Sequence, residues 1–313
     1  MDLKKKNTKH LMNGSKKKLS NAIFLEYYRL NGAVIDAIEY FLYMKSIGID
    51  IKLCVFNRFN KIYSPSIEEI YNLIEDRYDL NFDYKDDIIF YSRTWDFIKV
   101  KYNTVLIMDR ATSEVFSLLN AKKVIFFHDY SVKKDTDKLY KKMSTFDHVK
   151  IYHEMPFAIT SGYSQQTNLK MAFSLYKEVK ESDKCYFMNM LSKGNEDIIK
   201  DFVKETQDKV IITTTDKSLK NIRSSSVNIY DKHPKDFFSL FNTYVYVHDG
   251  LYFDPRPRMF HECAFYGKNI KYINEHNIKD GSWYRYNEIL NASDAIEKRT
   301  LTSDDTIIRE FYD

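Results

Sequence analysis

The sequence predicts an α/β protein made of two halves that face each other across a cleft, each half built on a parallel sheet. Three observations carry this expectation. Short apolar runs alternate with amphipathic ones, which is the signature of βαβ units, and the alternation stops and restarts near residues 170–184. The chain has 313 residues, enough for two domains of ordinary size. Hydrophobic residues make up 44% and aromatic residues 16%, enough to fill two cores.

The first half opens on residues 22–27 (AIFLEY), an apolar run of strand length. A turn at Gly32 leads into a helix over 33–47, with Val34, Ile38, Phe41 and Leu42 at helical spacing. Gly48 follows as its C-terminal cap. Residues 51–56 (IKLCVF) form the next strand. Ser66 and Glu69 make a capping box that starts another helix. Strands are expected at 87–91 and 104–108, a short helix at 113–120, and a strand at 124–127 that runs into His128-Asp129. Residues 131–180 are richer in Lys and Ser and less periodic. The second half then gives a strand at 185–191, a helix at 196–206, and strands at 210–214 and 227–230. A helix at 234–241, a strand at 244–247, a helix at 259–266 and a strand at 269–273 complete it. The expected domains are 19–175 and 176–313, the last segment crossing back to the first domain.

Composition removes several function classes. Eight glycines are too few and too scattered for a G-x-G-x-x-G fingerprint or a Walker A loop. Cys54, Cys185 and Cys263 form no C-x-x-C pair, so neither a zinc knuckle nor a disulfide framework is expected, and the compartment reads as cytoplasmic. Residues 1–18 hold seven lysines and one acid, which leaves the rest of the chain at a net charge of −2. This stretch reads as a flexible basic tail, suited to nucleic acid or an anionic membrane if it has a partner. No stretch approaches the length of a membrane span, and the lysines are not followed by the apolar run of a secretory signal.

The segment 233–273 is the most informative. A helix leads to an apolar strand, then to a polar loop, then to a second helix. The loop carries Asp254, Arg256 and Arg258, stiffened by Pro255 and Pro257. Arginines beside a helix N-terminus suit a diphosphate. Carboxylates nearby suit sugar hydroxyls, since each accepts several hydrogen bonds. Together these features describe a nucleotide sugar.

Asp254 and Glu262 enclose seven residues. This spacing resembles the E-x7-E signature of retaining glycosyltransferases with the GT-B fold, with Asp in place of the first Glu. The acidic-Pro pair, the second acid and then Gly267 before the next strand keep the family's order. The resemblance implies two Rossmann-like domains, a nucleotide-diphosphate sugar donor (UDP-linked in the first instance), no cofactor and no metal. It implies that Glu262 binds the donor ribose and that Asp254 contacts the transferred sugar. Gly32 resembles the family's donor-loop glycine, His128 its histidine at the cleft, and Lys193 its phosphate-binding lysine. The family's arginine five residues before that lysine is replaced by Met188, and Arg256 and Arg258 are expected to supply the missing charge. Catalytic roles thus fall to His128, Asp254 and Arg258, and donor binding to Gly32, Lys193, Arg256, Arg258 and Glu262.

Taken singly, each residue also has a structural reading. Asp254 suits a turn before proline, Glu262 a helix macrodipole, the arginines surface ion pairs, and Gly32 a tight βα turn. His128 and Lys193 suit turns at strand ends. The joint order carries the functional reading. No H-E-x-x-H or G-x-S-x-G pattern competes with it. Asp135-Thr136-Asp137 follows Lys133-Lys134 rather than an apolar strand, so no metal site is expected there. The acceptor is expected to be a surface glycan or a hydroxymethylated base in viral DNA. The alternatives are a non-catalytic GT-B-like binding protein or a nucleic-acid-binding protein acting through its basic tail.

Overall fold

The computed structural model describes residues 19–26, 32–56, 66–91, 94–108, 113–128, 134–153, 162–180, 182, 184–189, 196–214, 222, 225–231, 233–247, 258–273 and 292–312. The first domain runs β1 (Ser20–Glu26), α1 (Gly32–Ser46), β2 (Ile51–Phe56), α2 (Ile67–Arg77), β3 (Ile88–Tyr91), α3 (Thr94–Ile98) and β4 (Tyr102–Met108). It continues with α4 (Ser113–Leu118), β5 (Ala121–His128), α5 (Lys134–Met143), β6 (Val149–His153) and β7 (Gln165–Gln166). The second domain runs β8 (Cys185–Asn189), α6 (Glu196–Glu205), β9 (Lys209–Thr213), β10 (Val227–Tyr230), β11 (Thr243–Val247), α7 (Arg258–Phe265) and β12 (Asn269–Ile273). Two short helices end the chain, α8 (Ala292–Arg299) and α9 (Thr306–Arg309).

The first sheet has the order β3-β2-β1-β4-β5-β6-β7 and the second β10-β9-β8-β11-β12. The pairings in both are parallel. Parallel sheets bury both faces, so their strands need apolar residues at odd and even positions alike. In β1, Ile23 and Leu25 enter one core while Ala22 and Phe24 enter the other. In β8, Phe187 faces α7 residues Phe260 and Cys263, and Met188 faces Ile199 and Phe202 of α6. All three cysteines are free and buried. Among the described residues no helix is long and apolar enough to cross a membrane.

Local chemistry sets the helix ends. Ser66 accepts the Glu69 N–H at 3.2 Å, and the Glu69 carboxylate accepts the Ser66 N–H at 2.9 Å, so two orphan donors of α2 are satisfied. Ser66→Ala is expected to cost about 1 kcal/mol, read as a lower urea midpoint with an unchanged slope. Gly48 closes α1 with φ +83°, a conformation that favours glycine.

Two expectations need correction. Residues 131–180 contain α5 and β6. The apolar face of α5 is short, with Tyr140 and Met143 buried among lysines, which hid its period. The helix expected at 234–241 is a single 3-10 turn, Phe237–Ser239. Asp236 stands before it at φ 52°, and its N–H donates to Asp76 of the first domain at 2.8 Å. Left-handed backbone at Asp236 interrupts a helical run at this point.

The C-terminal segment belongs to the first domain. Met171 and Leu301 exchange backbone hydrogen bonds across Arg299–Leu301, with Met171 N–H to Arg299 O at 2.7 Å and Leu301 N–H to Met171 O at 2.8 Å. Leu301, Ile307, Ile308 and Phe311 enter the same core as α1. Asp305 caps α9 by accepting from Ile307 and Ile308. Glu310 accepts from Lys150 and from the Tyr152 hydroxyl.

Candidate active site

Open parallel sheets bind ligands beyond the carboxyl ends of their strands, where the strand order reverses. The reversals here lie between β1 and β4 and between β8 and β11. Gly32 opens α1 after β1. Among the described residues, an added Cβ there would meet nothing within 4 Å. His128 is the last residue of β5, and only its backbone is described. Lys193 falls between β8 and α6, and Asp254 and Arg256 between β11 and α7; these three lie outside the described residues. Arg258 and Glu262 lie in the first two turns of α7.

Arg258 and Glu262 are buried together at the junction of the two domains. The Arg258 Nε donates to Glu262 Oε1 at 2.9 Å. Its Nη1 donates to Asp36, and its Nη2 donates to Glu39 and to the Tyr176 hydroxyl. Arg77, the last residue of α2, donates from Nη1 to the same Glu262 Oε1 at 2.7 Å. Glu39 also accepts from the hydroxyls of Tyr78 and Tyr176 and from the Ala172 N–H. Two guanidinium groups therefore meet three carboxylates, drawn from α1, α2 and α7. Asp36 and Glu39 are wholly buried. They sit in a helix whose residues 34–44 are all buried, because α1 is enclosed on every side.

The environment holds each charge state. Burial opposes the charge of Arg258, but Glu39 and its neighbours outweigh it and lift the pKa well above the ordinary guanidinium value. Arg77 is raised too: burial opposes its charge, and Glu262 together with Tyr78 and Tyr176 more than offsets it. Burial pushes the Tyr78 and Tyr176 hydroxyls well above the usual phenol range, so both remain neutral donors. Burial and the Arg77 charge push His233 down to about 3, so it is neutral. The Arg77 guanidinium lies 5.4 Å from the Phe237 ring centroid and 5.8 Å from that of Phe238. A pocket of about 320 Å³ opens beside it, between the end of α2 and the interdomain segment 177–180.

The sequence reading aimed Arg258 at a diphosphate. In the structure its donors turn instead to Asp36, Glu39, Glu262 and Tyr176. Sequence reasoning missed Asp36, Glu39, Arg77 and Tyr176. The available signal was two acids inside an otherwise apolar helix. It also missed His153, which pairs in register with His128 at the carboxyl edge of the first sheet. Burial lowers the His153 pKa, and among the described residues neither ring nitrogen has a hydrogen-bond partner. Met188 lies wholly buried in the second domain's core rather than at a site edge. Among the described residues no cluster of three His, Cys, Asp or Glu side chains is arranged to hold a metal ion.

No family profile matches the sequence, and no curated protein matches it. Solved structures do match. An alpha-glucosyltransferase in complex with UDP-glucose and DNA containing an abasic site aligns with a TM-score of 0.58 at 10% identity, covering 94% of this chain and 98% of that one. An alpha-glucosyltransferase in complex with UDP aligns with a TM-score of 0.58 at 9% identity, covering 94% and 99%. A third, in complex with UDP and a 13-mer DNA containing a central A:G mismatch, aligns with a TM-score of 0.59 at 10% identity, covering 94% and 99%. The fold is GT-B. In this GT-B body the N-terminal turns of α1 and α7, one from each domain, meet through the Arg258 cluster.

Proposed function

We propose that the protein is a glycosyltransferase that moves a sugar from UDP-glucose or a related UDP-sugar to the hydroxyl of a hydroxymethylated base in DNA. One observation carries the reading. The residues selected by the Asp254–Glu262 motif follow the carboxyl ends of the strands at which the order of the second sheet reverses, where GT-B and other open sheets bind ligands. The structures of similar fold support the choice of donor and acceptor, since they hold UDP-glucose or UDP, and two of them hold DNA with an HMU base. The lysines of residues 1–18 suit the phosphates of such an acceptor.

In this reading Glu262 takes the donor ribose and Asp254 the transferred sugar. Lys193, Arg256 and the N-terminus of α7 stabilise the diphosphate as it leaves, and no metal is required. Arg258 acts from behind Glu262. Gly32 gives close backbone approach to the donor, and His128 stands on the acceptor side. The anomeric configuration is retained. A second reading is a binding protein without chemistry, since the chain has Met188 where the resembled family has an arginine.

The test is incubation with UDP-glucose and duplex DNA carrying or lacking hydroxymethylated bases, with UDP release and hexose addition as readouts. Glu262→Ala is expected to weaken UDP binding by about 1–3 kcal/mol. Asp254→Asn is expected to spare UDP binding and abolish transfer. UDP-glucose binding without release or transfer to any acceptor would favour the second reading. No binding of any nucleotide sugar would sink both.

A further inference from the structure

Among the described residues, Glu262 takes its side-chain hydrogen bonds on one oxygen. Arg77 Nη1 at 2.7 Å and Arg258 Nε at 2.9 Å both reach Oε1, with the Tyr176 hydroxyl 3.5 Å away. Among the described residues no donor reaches Oε2. The two arginines are fixed by different means. Arg258 stands one turn before Glu262 on α7 and is anchored by Asp36 and Glu39 of α1. Arg77 arrives from α2 of the other domain, its guanidinium lying against Phe237 and Phe238. Two charged hydrogen bonds from different elements fix both the position and the rotation of a carboxylate.

We propose that Arg77 and Arg258 are positioning residues for Glu262, holding Oε1 from two sides so that Oε2 is presented to the ribose hydroxyls of the donor. This rests on the reading of Glu262 as the ribose acceptor. It adds a consequence: Arg77 belongs to the first domain, so the ribose site of the second domain is complete only while the two domains keep this arrangement. Donor affinity and domain arrangement are then linked directly through the Arg77–Glu262 hydrogen bond, and indirectly through the anchoring of Arg258 on α1.

The test is calorimetric titration with UDP and with 2′,3′-dideoxy-UDP, which lacks the ribose hydroxyls. The wild-type protein is expected to bind UDP roughly ten- to hundredfold more tightly than the analogue. In Arg77→Met the ratio falls to near one while affinity for the analogue holds. Arg77→Lys keeps the charge but not the fork, and the ratio falls part-way. Thermal melts report folding, and if Arg77→Met does not fold, Arg77→Lys decides. A purely structural Arg77 would weaken both nucleotides alike and leave the ratio intact, and that result overturns the proposal. Glu262→Gln separates the two levels. If the wild-type protein does not discriminate, or Glu262→Gln still does, the ribose reading itself falls. If Glu262→Gln loses discrimination while both Arg77 variants keep it, only the positioning role is lost.

Discussion

A chain shortened to residue 300 is expected to lose cooperative folding. Deleting 301–313 removes Leu301, Ile307, Ile308 and Phe311, which are between 0% and 7% exposed and sit in the core that also holds α1. Burying one such side chain contributes about 1.5–3 kcal/mol, so the four together account for about 6–12 kcal/mol before the compactness of the unfolded chain is discounted. A folded domain's whole margin is about 5–15 kcal/mol. The deletion also strips Glu310 from Lys150 and Tyr152, and Asp305 from the Tyr40 hydroxyl. Those polar groups would then face an opened core. The measurement is a urea or thermal transition on the shortened chain, beside the single variant Ile308→Ala. The single variant is expected to lose about 2–5 kcal/mol and to keep one transition. A shortened chain that melts cooperatively near the full chain's midpoint would show that the C-terminal segment decorates the first domain rather than completing it.

That segment marks the limit of what the sequence made legible. Periodicity located elements well wherever the apolar pattern was local. Residues 51–56, 227–230 and 269–273 are strands with the expected bounds, and the capping box at Ser66 starts α2 as expected. Periodicity does not say which core an apolar run enters, so the expectation that the last segment returns to the first domain named none of Leu301, Ile307, Ile308 and Phe311 as the residues that fill its core. The same limit governs the site. The Asp254–Glu262 spacing drew attention to α7 because it is a local pattern. The partners of Arg258 lie 222 and 219 residues away, on α1. Arg77 stands in the last turn of α2, where a cation suits the helix macrodipole and draws no notice. Its contact with Glu262 spans 185 residues. Side-chain chemistry states which partners an arginine can take, and only the packing of α1, α2 and α7 decides which it meets. Asp36 and Glu39 were missed although they carried a signal, because burying two carboxylates in an apolar helix demands cations from elsewhere.

Arg258→Met is expected to be the most destabilising single substitution at the domain junction. It leaves Asp36, Glu39 and Glu262 buried with Arg77 as the remaining guanidinium in the cluster. Breaking a buried ionic network by removing one partner costs about 3–5 kcal/mol, because the remaining charges stay dehydrated and unpaired. Asp36 and Glu39 lose the guanidinium that bridges them to the second domain and stay shut away from water. A loss of packing alone would not depend on the charge of the replacing side chain. Arg258→Lys should recover part of the loss, since an ammonium restores the charge but cannot reach Asp36, Glu39 and Glu262 together as the guanidinium does. Denaturant titrations of the three proteins check this. A gap below about 1 kcal/mol, or no recovery in Arg258→Lys, would mean that the domains are held by the packing of Phe265 and Tyr266 against the first core rather than by the charge cluster.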